Sequence, residues 1–335
     1  MFKKILIVSK MTELELDEFL FDAEVEAVHR QRNVDTRALI ERDKIHYKTF
    51  EQIVSCFKEY DVSLEVIKRQ NVFKRDLDKG WDLVVVVGGD GTFMDVARYI
   101  HDCTPLFGIK SSPFSLGGHF HTNLSNARDH IRMLFEGAPD KDFSLRPRTR
   151  VKGVVENGNT IVDYALNEIL IGDVYKAGYD SLDIHYRGTV YETGSSGLIV
   201  STFRGKTGWY DNIPIREQDP AVISRYRSAM EKAGLENRDI LLRDCDFKPG
   251  QEAMVRYKTM MRKSEGPCPG NDYGTLLPGE EMVVFCRVIS DGAVTFDGHK
   301  PTRIRKRVYP FYYGNRLTIS VSDKPLMCVE FDNRF

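Results

Sequence analysis

The chain has 335 residues, with 48 basic and 49 acidic side chains, a formal net charge of −1 and 41% hydrophobic residues. This is the composition of a globular protein, so it excludes disordered and low-complexity classes, and the length predicts two domains. The near-zero net charge argues against a protein dedicated to binding nucleic acid, although a local basic groove can still serve a phosphate-bearing ligand.

Membrane attachment, secretion and metal binding are disfavoured by three features of the chain. The longest apolar runs have the length of strands, as at 83–87, and none approaches the roughly 20 residues that cross a bilayer. The apolar run after Met1 is short and is followed at once by acidic residues, which favours a first β-strand over a targeting peptide. The six cysteines are scattered without a C-x-x-C pair, which predicts reduced thiols in a cytoplasmic compartment and no metal site.

The first 145 residues alternate between strand and helix patterns. Continuous apolar runs predict the buried strands of a parallel sheet, and apolar residues spaced i, i+3, i+4, i+7 predict helices. In chain order the predicted elements are a strand at 5–8, helices at 13–29 and 50–57, strands at 62–66 and 83–87, a helix at 93–100, a strand at 106–109 and a helix around 131–134. This alternation indicates an α/β domain with a mostly parallel sheet.

The pattern changes near Arg146 to short β-rich runs. Asn157-Gly158 separates two such runs and predicts a hairpin, because both residues tolerate positive φ, and Arg187-Gly188 predicts a second hairpin. A helix at 220–233 is the exception, and a Gly- and Pro-rich stretch at 263–276 predicts a mobile loop. The second domain is therefore predicted to be mostly antiparallel β and sandwich-like. Its predicted strands, with those that follow it, are 151–155, 160–166, 181–186, 189–192, 282–289, 293–297, 303–309, 316–321 and 326–331.

The sharpest motif, Val87-Gly88-Gly89-Asp90-Gly91-Thr92, joins the strand at 83–87 to the following helix. Glycines let the backbone approach a ligand closely, and the start of a helix offers free N–H groups and a positive dipole end to a phosphate. A carboxylate there repels phosphate, so Asp90 is expected either to accept a proton from a hydroxyl group or to hold a metal ion that bridges phosphates. The alternative is a plain strand–helix turn capped by Asp90 or Thr92. The spacing matches neither the Walker A motif nor the fingerprint of Rossmann hydride-transfer enzymes.

A strand–GGDGT–helix unit resembles the NAD kinase/diacylglycerol kinase superfamily, and further segments favour the NAD kinases. The stretch 165–169 (ALNEI) is similar to their Asn-Glu motif, which is expected on a strand. The stretch 195–202, followed by 205–210, resembles their second Gly- and Thr-rich segment, and residues 290–298 resemble their late β-hairpin region. The Ser-Ser-Gly that opens 195–202, together with the stretch 110–119, resembles the mitochondrial-type NAD kinases.

The resemblance implies an NAD kinase-like fold of two domains with a cleft between them. An α/β domain at 1–145 is expected to be completed by C-terminal strands near 312–335, and a β-rich domain is expected at 146–311. The implied reaction is phosphoryl transfer from ATP, with Mg²⁺ carried by the nucleotide, to the 2′-hydroxyl of the adenosine ribose of NAD, which gives NADP. The resemblance also implies a homodimer or homotetramer whose ligands are small nucleotides.

The same resemblance assigns roles to individual residues. Asp90 corresponds to the catalytic carboxylate, which orients the 2′-hydroxyl and takes its proton. Asn167 and Glu168 are expected to hold ribose hydroxyl groups, because an amide beside a carboxylate suits a vicinal diol. The residues expected to cradle phosphate are Gly88, Gly89, Gly91 and Thr92. The residues of the loop expected to contact adenine and the nicotinamide half are Thr202, Gly205, Lys206, Thr207, Gly208, Trp209 and Tyr210.

Basic residues depart from the common pattern of the family. Lys110, Arg204 and Lys206 can each pair with a phosphate or remain exposed charges. They leave open the choice between NAD and NADH and between ATP and polyphosphate. Two other functions also stay open: a lipid or sugar kinase of the same superfamily, and a catalytically weak NAD(P)-binding sensor. His119 and His121 lie near the same edge, where lone histidines are more often structural than catalytic.

Overall fold

The computed structural model describes residues 2–21, 36–113, 118–120, 122–173, 180–211, 252–260, 273–287, 292–298 and 307–331. The chain divides into two compact units, one formed by Met1–Pro147 with Leu326–Phe335 and the other by Arg148–Pro325. Within the described ranges, no helix is both long and apolar enough to span a membrane. The helix predicted at 220–233 and the side chain of His121 lie outside the described residues.

The order of helices and strands follows the predicted change from α/β to β. The helices of the described residues are α1 (Glu13–Phe21), α2 (Arg37–Lys58), α3 (Lys74–Leu77), α4 (Asp90–Ala97) and α5 (Leu124–Glu136), with a 3₁₀ turn at Arg69–Asn71 and a π-helical turn at Lys206–Tyr210. The strands are β1 (Lys4–Ser9), β2 (Ser63–Lys68), β3 (Leu83–Gly88), β4 (Leu106–Lys110), β5 (Ser144–Arg148), β6 (Val151–Glu156), β7 (Thr160–Ala165), β8 (Glu168–Asp173), β9 (Asp180–Tyr186), β10 (Thr189–Ser195), β11 (Leu198–Thr202), β12 (Val255–Thr259), β13 (Tyr273–Leu276), β14 (Glu281–Cys286), β15 (Gly292–Phe296), β16 (Val308–Pro310), β17 (Arg316–Val321) and β18 (Leu326–Glu330).

The first unit is built around one sheet with the strand order β2-β1-β3-β4-β18-β5. β1 pairs in parallel with β2 and β3, and β4 pairs in parallel with β3 and β18. Every residue of β3 is buried, as its apolar run predicts for a central parallel strand. α2 and α5 pack against the sheet through Ile53, Phe57, Ile131 and Leu134, and burying each such side chain contributes roughly 1.5–3 kcal/mol. The prediction of an α/β domain with a mostly parallel sheet is confirmed.

The second unit is a sandwich of two antiparallel sheets. Their strand orders are β10-β9-β14-β17-β6-β7 and β13-β12-β11-β8-β15-β16. A hydrophobic core between the sheets takes side chains from both, such as Val155 from β6 and Val200 from β11. At Gly153 the sheets approach so closely that a Cβ atom would lie 2.6 Å from the ring of Phe296. The predicted antiparallel, sandwich-like architecture is confirmed.

Both predicted hairpins form in the second unit. The turn between β6 and β7 contains Gly158 at a φ of +94°, and the turn between β9 and β10 contains Arg187 and Gly188 at +49° and +72°. Positive φ at these positions matches the right-handed twist of the paired strands. The turn residues therefore determine these two registers locally.

The segment 312–335, expected to complete the first domain, is divided between the units. β17 pairs with β6 and β14 in the sandwich, and only β18 joins the parallel sheet beside β4. Leu317 and Ile319 of β17 are buried between more exposed neighbours, which suits a sheet with one face on a core. The boundary therefore falls after β17, at Pro325.

Part of the predicted mobile loop at 263–276 is a strand. Residues 273–276 form β13 and pair with β12. Gly274 is one of the glycines from which the sequence predicts a loop. In the structure, a Cβ atom at this position would lie 2.5 Å from the hydroxyl oxygen of Tyr257. The glycine allows close packing between two strands, which is a second use of glycine within sheets. Residues 263–272 lie outside the described part of the chain.

One predicted helix has a shorter bound in the structure, and another is described only in part. α4 ends at Ala97, so Ile100 lies beyond it. α1 covers the described part of the helix predicted at 13–29.

Candidate functional site

The Gly-rich loop lies where β3 ends and α4 begins. Gly88 is the last residue of β3, and Gly89 has the extended dihedral angles φ −125° and ψ 177°. The carbonyl of Gly89 accepts hydrogen bonds from the N–H groups of Thr92 and Phe93 at 2.9 and 3.2 Å, which starts the helix. The carboxyl end of a central parallel strand followed by the start of a helix is a common place for a phosphate.

Two lysines flank this loop at the same edge of the sheet. Lys110 ends β4 opposite Gly88, and Lys10 follows β1, with its Cβ atom 3.0 Å from the position that a Cβ at Gly88 would take. Burial lowers the pKa of Lys10, opposed by the negative charges of Glu13 and Asp43. The sequence prediction included Lys110 but missed Lys10. The signal for Lys10 was its place directly after the first parallel strand, since the carboxyl ends of parallel strands share one edge.

The carboxylate of Asp90 connects the Gly-rich loop to the segment after β4. It accepts hydrogen bonds from the backbone N–H groups of Gly118 and His119 at 2.9 and 3.3 Å, one on each oxygen. The buried His119 ring stacks on Phe93 with centroids 5.5 Å apart, which agrees with a structural histidine. A carboxylate offers about four acceptor positions, so both oxygens of Asp90 retain capacity for a hydroxyl group.

A buried hydroxyl group lies beside the same loop. The N–H of Ser111 donates to the carbonyl of Gly88 at 3.2 Å. Its side chain is fully buried, and its Oγ atom has no hydrogen-bond partner among the described residues. Such an atom is an unusual feature of a folded protein and marks a position that a polar ligand can satisfy.

The Asn167–Glu168 pair lies in the second unit at the start of β8. Asn167 precedes the strand and Glu168 is its first residue, so the expected strand position applies to Glu168 alone. The carbonyl of Asn167 accepts from the N–H of Thr202 at 2.8 Å and from the hydroxyl of Ser201 at 3.2 Å. Its N–H donates to Asp297 Oδ1 at 2.6 Å. The backbone of Asn167 is thus held from both sides by residues distant in sequence.

Glu168 is a buried carboxyl group with unused acceptor capacity. It is 2% exposed, and its Oε2 atom has no hydrogen-bond partner among the described residues. Burial and then the charge of Asp297 raise the pKa of Glu168 to about 8, while a hydrogen bond from the backbone N–H of Trp209 opposes the rise. At neutral pH the protonated form prevails, and that form both donates and accepts hydrogen bonds, as a ribose diol requires.

Glycines of the 202–210 loop bring the backbone against Asn167 and Glu168. A Cβ atom at Gly205 would lie 2.3 Å from the Cα and carbonyl oxygen of Asn167. A Cβ atom at Gly208 would lie 2.9 Å from Glu168 Oε2. The hydroxyl of Thr202 donates to the carbonyl of Leu166 at 2.6 Å and accepts from the N–H of Gly205 at 3.0 Å, so it shapes the loop.

The remaining residues of that loop divide between core and surface. Tyr210 is 1% exposed and packs with Leu170, Ile199 and Met260, whereas Trp209 is 45% exposed. Of the two predicted aromatic contacts, Trp209 is therefore the ring accessible to a ligand. Lys206 lies with its Nζ atom 5.3 Å from the centre of the Phe203 ring, and Thr207 belongs to the same π-helical turn.

The predicted site residues therefore form two groups, one in each unit. The first unit contains Gly88, Gly89, Asp90, Gly91, Thr92 and Lys110. The second contains Asn167, Glu168, Thr202, Gly205, Lys206, Thr207, Gly208, Trp209 and Tyr210. Over the ranges that the structure describes, no three His, Cys, Asp or Glu side chains come together as a metal site.

Residues that the sequence prediction missed complete the second group. Arg307 is buried and pairs with two buried carboxylates, those of Asp163 and Asp297. Asp297 belongs to the segment that resembled a late hairpin, but nothing in the spacing marked Arg307 or Asp163.

Comparison with known proteins agrees with the motifs. Residues 5–136 match the ATP-NAD kinase N-terminal domain. A stretch of 138 residues is 27% identical to the NAD kinase of Magnetococcus marinus and covers 40% of this chain and 44% of that protein. A stretch of 256 residues is 23% identical to the mitochondrial NAD kinase 2 of Rattus norvegicus and covers 63% of this chain and 60% of that protein. The chain thus spans about half the length of the curated relatives that it matches, between 44% and 60% for these two.

Two solved structures have the same fold. An NAD kinase from Archaeoglobus fulgidus in complex with ATP aligns with a TM-score of 0.59 at 18% identity, covering 99% of this chain and 94% of the other. Yeast NADH kinase complexed with NADH aligns with a TM-score of 0.59 at 13% identity, covering 99% and 85%.

The resemblance to NAD kinases is confirmed, and so is the two-part fold that it implied.

Proposed function

We propose that this protein is an ATP-dependent NAD kinase, which phosphorylates the 2′-hydroxyl of the adenosine ribose of NAD to give NADP. The observation that carries the proposal is the position of Asp90. Its carboxylate begins α4 at the carboxyl end of β3, inside a Gly-rich loop and within the segment that matches the ATP-NAD kinase N-terminal domain. A carboxylate in a phosphate-binding loop has a clear chemical use where a hydroxyl group must be activated.

In the proposed reaction, Asp90 orients the 2′-hydroxyl and accepts its proton. The ribose oxygen forms a bond to the γ-phosphorus of ATP while the bond from that phosphorus to the β-phosphate oxygen breaks and ADP leaves. Gly88, Gly89, Gly91 and Thr92 cradle the donor phosphate. The charges that develop on the transferred group are stabilised by the helix start and by fixed donors rather than by new covalent chemistry.

NAD, the acceptor of the phosphoryl group, is proposed to bind at the candidate residues of the second unit. Asn167 and Glu168 hold the ribose hydroxyls, and the half-exposed Trp209 ring packs on a base of the dinucleotide. The loop residues from Thr202 to Tyr210 keep the backbone close enough for these contacts. Lys110 and Lys206 are proposed to face phosphate groups, a role that suits the compact positive charge of a lysine side chain.

The proposal also covers the magnesium ion, the oligomeric state and the cell compartment. Magnesium is proposed to arrive with ATP as part of the substrate, since it is bound mainly through nucleotide phosphates in such sites. A homodimer or homotetramer and a cytoplasmic location are kept as proposals from the sequence analysis. The free thiols of Cys56, Cys103, Cys286 and Cys328 agree with a reducing compartment.

The test is the direct assay of the reaction. The purified chain is incubated with ATP, Mg²⁺ and NAD, or with NADH in place of NAD, and NADP is detected with an NADP-specific dehydrogenase. Asp90→Asn should lower kcat by roughly 10²–10⁴-fold, the usual contribution of a positioned base, with KM for both substrates changed far less. Asp95→Asn is the matched control, because Asp95 lies in the same helix but pairs with Arg69. Equal turnover in Asp90→Asn and the wild type would exclude Asp90 as the base.

One observation favours a second function, that of an NAD(P)-binding sensor. The carboxylate of Asp90 already accepts two backbone N–H groups, from Gly118 and His119, which is also what a purely structural aspartate does. A sensor would bind NAD or NADP without forming product in the assay above. Lipid and sugar alcohols, the acceptors of the wider superfamily, are the next substrates to test in that case.

A further inference from the structure

A buried ion-pair network lies next to the Asn167–Glu168 pair. Arg307 is 4% exposed, and its guanidinium pairs with Asp163 at 2.8 Å and with Asp297 at 2.7 Å. Both carboxylates are as buried as the arginine, with exposed fractions of 5% for Asp163 and 2% for Asp297. The guanidinium also donates to the carbonyl of Tyr164, and the hydroxyl of Tyr309 donates to Asp163 at 2.7 Å. We call these residues the Arg307 network.

Asp297 connects the network to the Asn167–Glu168 pair. Its Oδ2 atom accepts from Arg307 Nη1, and its Oδ1 atom accepts from the backbone N–H of Asn167 at 2.6 Å. Its own N–H donates to the carbonyl of Glu168 at 2.9 Å. One side chain and one peptide group therefore fix the backbone of both residues of the pair.

The pair needs such support because of where it lies in the sheet. Asn167 falls between β7 and β8, so no strand ladder includes its N–H group. Asp297 has a φ of +53°, a conformation that few residues other than glycine adopt, and it holds that conformation while bonded to its three partners. The charge of Asp297 also raises the pKa of Glu168, after burial, which is the larger cause.

We propose that Arg307 is a positioning residue for acceptor binding: it fixes Asp297, and Asp297 fixes the backbone of Asn167 and Glu168. The inference rests on the proposed function for the identity of the acceptor, NAD. Arg307 acts through Asp297 and does not touch the substrate. The other arm of the guanidinium, to Asp163, anchors the network to the end of β7.

Two substitutions separate this role from general stability. In Asp297→Asn, an amide offers one acceptor oxygen where two donors, Arg307 Nη1–H and Asn167 N–H, each require one. Whichever way the amide turns, its NH₂ group faces a donor. In Arg307→Lys, the charge remains but a single ammonium group cannot bond to both carboxylates as the guanidinium fork does. The control is Asp163→Asn, which weakens an equally buried arm of the same guanidinium without touching the bond to Asn167.

The measurements use the full chain and have two independent readouts. The first is hydrogen exchange of the Asn167 amide in the absence of ligand, which should be about tenfold faster or more in Asp297→Asn and Arg307→Lys. The second is the affinity for NAD and for ATP by calorimetry, in which NAD should bind about tenfold more weakly and ATP within about twofold of the wild type. Asp163→Asn should keep both values near those of the wild type, whatever its loss in thermal stability.

The outcomes distinguish the positioning role from the proposed function. Unchanged exchange at Asn167 in a folded Arg307→Lys or Asp297→Asn would overturn the inference. Equal changes in Asp163→Asn and Asp297→Asn would overturn it as well, because the network would then act through stability alone. A third outcome is that exchange is faster in the two test variants but the wild type binds no NAD. That result would support the positioning role and refute NAD as the acceptor. If Arg307→Lys does not fold, Asp297→Asn carries the test.

Discussion

The two groups of candidate residues are held in place in different ways. In the first unit, Gly88–Thr92 are neighbours in the chain, and the strand–turn–helix geometry alone brings them to the edge of the sheet. In the second unit, Asn167 and Glu168 are fixed by Ser201, Thr202 and Asp297, which lie 34 to 130 positions away along the chain. A contiguous motif is a local property of sequence, whereas a network of distant partners exists only after folding.

Asp90 and Glu168, the carboxyl groups of the two groups of candidate residues, also differ in their surroundings. Asp90 is half-buried and bonded to backbone N–H groups, whereas Glu168 is 2% exposed, with one oxygen that has no partner among the described residues. A buried position favours the neutral form of a carboxyl group, here that of Glu168. The comparison of the two units therefore leads to predictions about the charge of Glu168 and about atoms added to each group.

The largest expected effect concerns the charge of Glu168. Its pKa is raised from 4.5 to about 8 by burial and then by Asp297, so between these values the folded chain holds a proton that the unfolded chain has lost. Stability should therefore fall as pH rises through this window and level off above it, by at most about 1.4 kcal/mol per pH unit. Glu168→Gln cannot ionise and should lose this fall.

Urea unfolding of the wild type and Glu168→Gln between about pH 5 and 9 checks this expectation. The free energy of unfolding of the variant should gain on that of the wild type by a few kcal/mol across the window. Parallel curves would show that the pKa of Glu168 is not raised in the folded protein.

The next effect in size concerns close packing in the second unit. Gly205→Ala places a Cβ atom 2.3 Å from the backbone of Asn167, where no flexible side chain can move aside. We expect a loss of about 1–3 kcal/mol in the free energy of unfolding, with weaker NAD binding. Gly194→Ala in β10 is the control, since its Cβ atom meets nothing within 4 Å. A fully stable Gly205→Ala variant with normal NAD affinity would contradict the close approach.

The smallest effect concerns the Gly-rich loop of the first unit. A Cβ atom at Gly91 meets only the Arg69 guanidinium, at 3.7 Å, and the residue is helical. Gly91→Ala should therefore stabilise the chain by up to about 1 kcal/mol through helix propensity. If Gly91 admits a phosphate to the backbone, ATP should bind more weakly in the same variant. Raised stability with unchanged ATP affinity would remove Gly91 from the phosphate-binding residues.

Much of the fold could be predicted from sequence because its signals are local. The apolar run 83–87 marked a buried parallel strand, and the turn residues at Gly158 and Gly188 marked two hairpins. The predictions failed where one local pattern is compatible with two structures. Gly274 indicated a loop but allows close strand packing, and β17 was assigned to the wrong sheet, because alternation of buried residues does not name the partner strand.

The α/β and β-rich halves, the GGDGT loop with Asp90 and the Asn167–Glu168 pair could be recognised from the sequence alone, because each is a pattern of neighbouring residues. Folding was needed to show that Lys10 lies beside the loop, that Tyr210 is core while Trp209 is accessible, and that Asp297 bonds to both Arg307 and Asn167. Burial, shifted pKa values and hydrogen bonds between distant residues arise when the sheets pack together. No spacing along the chain encodes them.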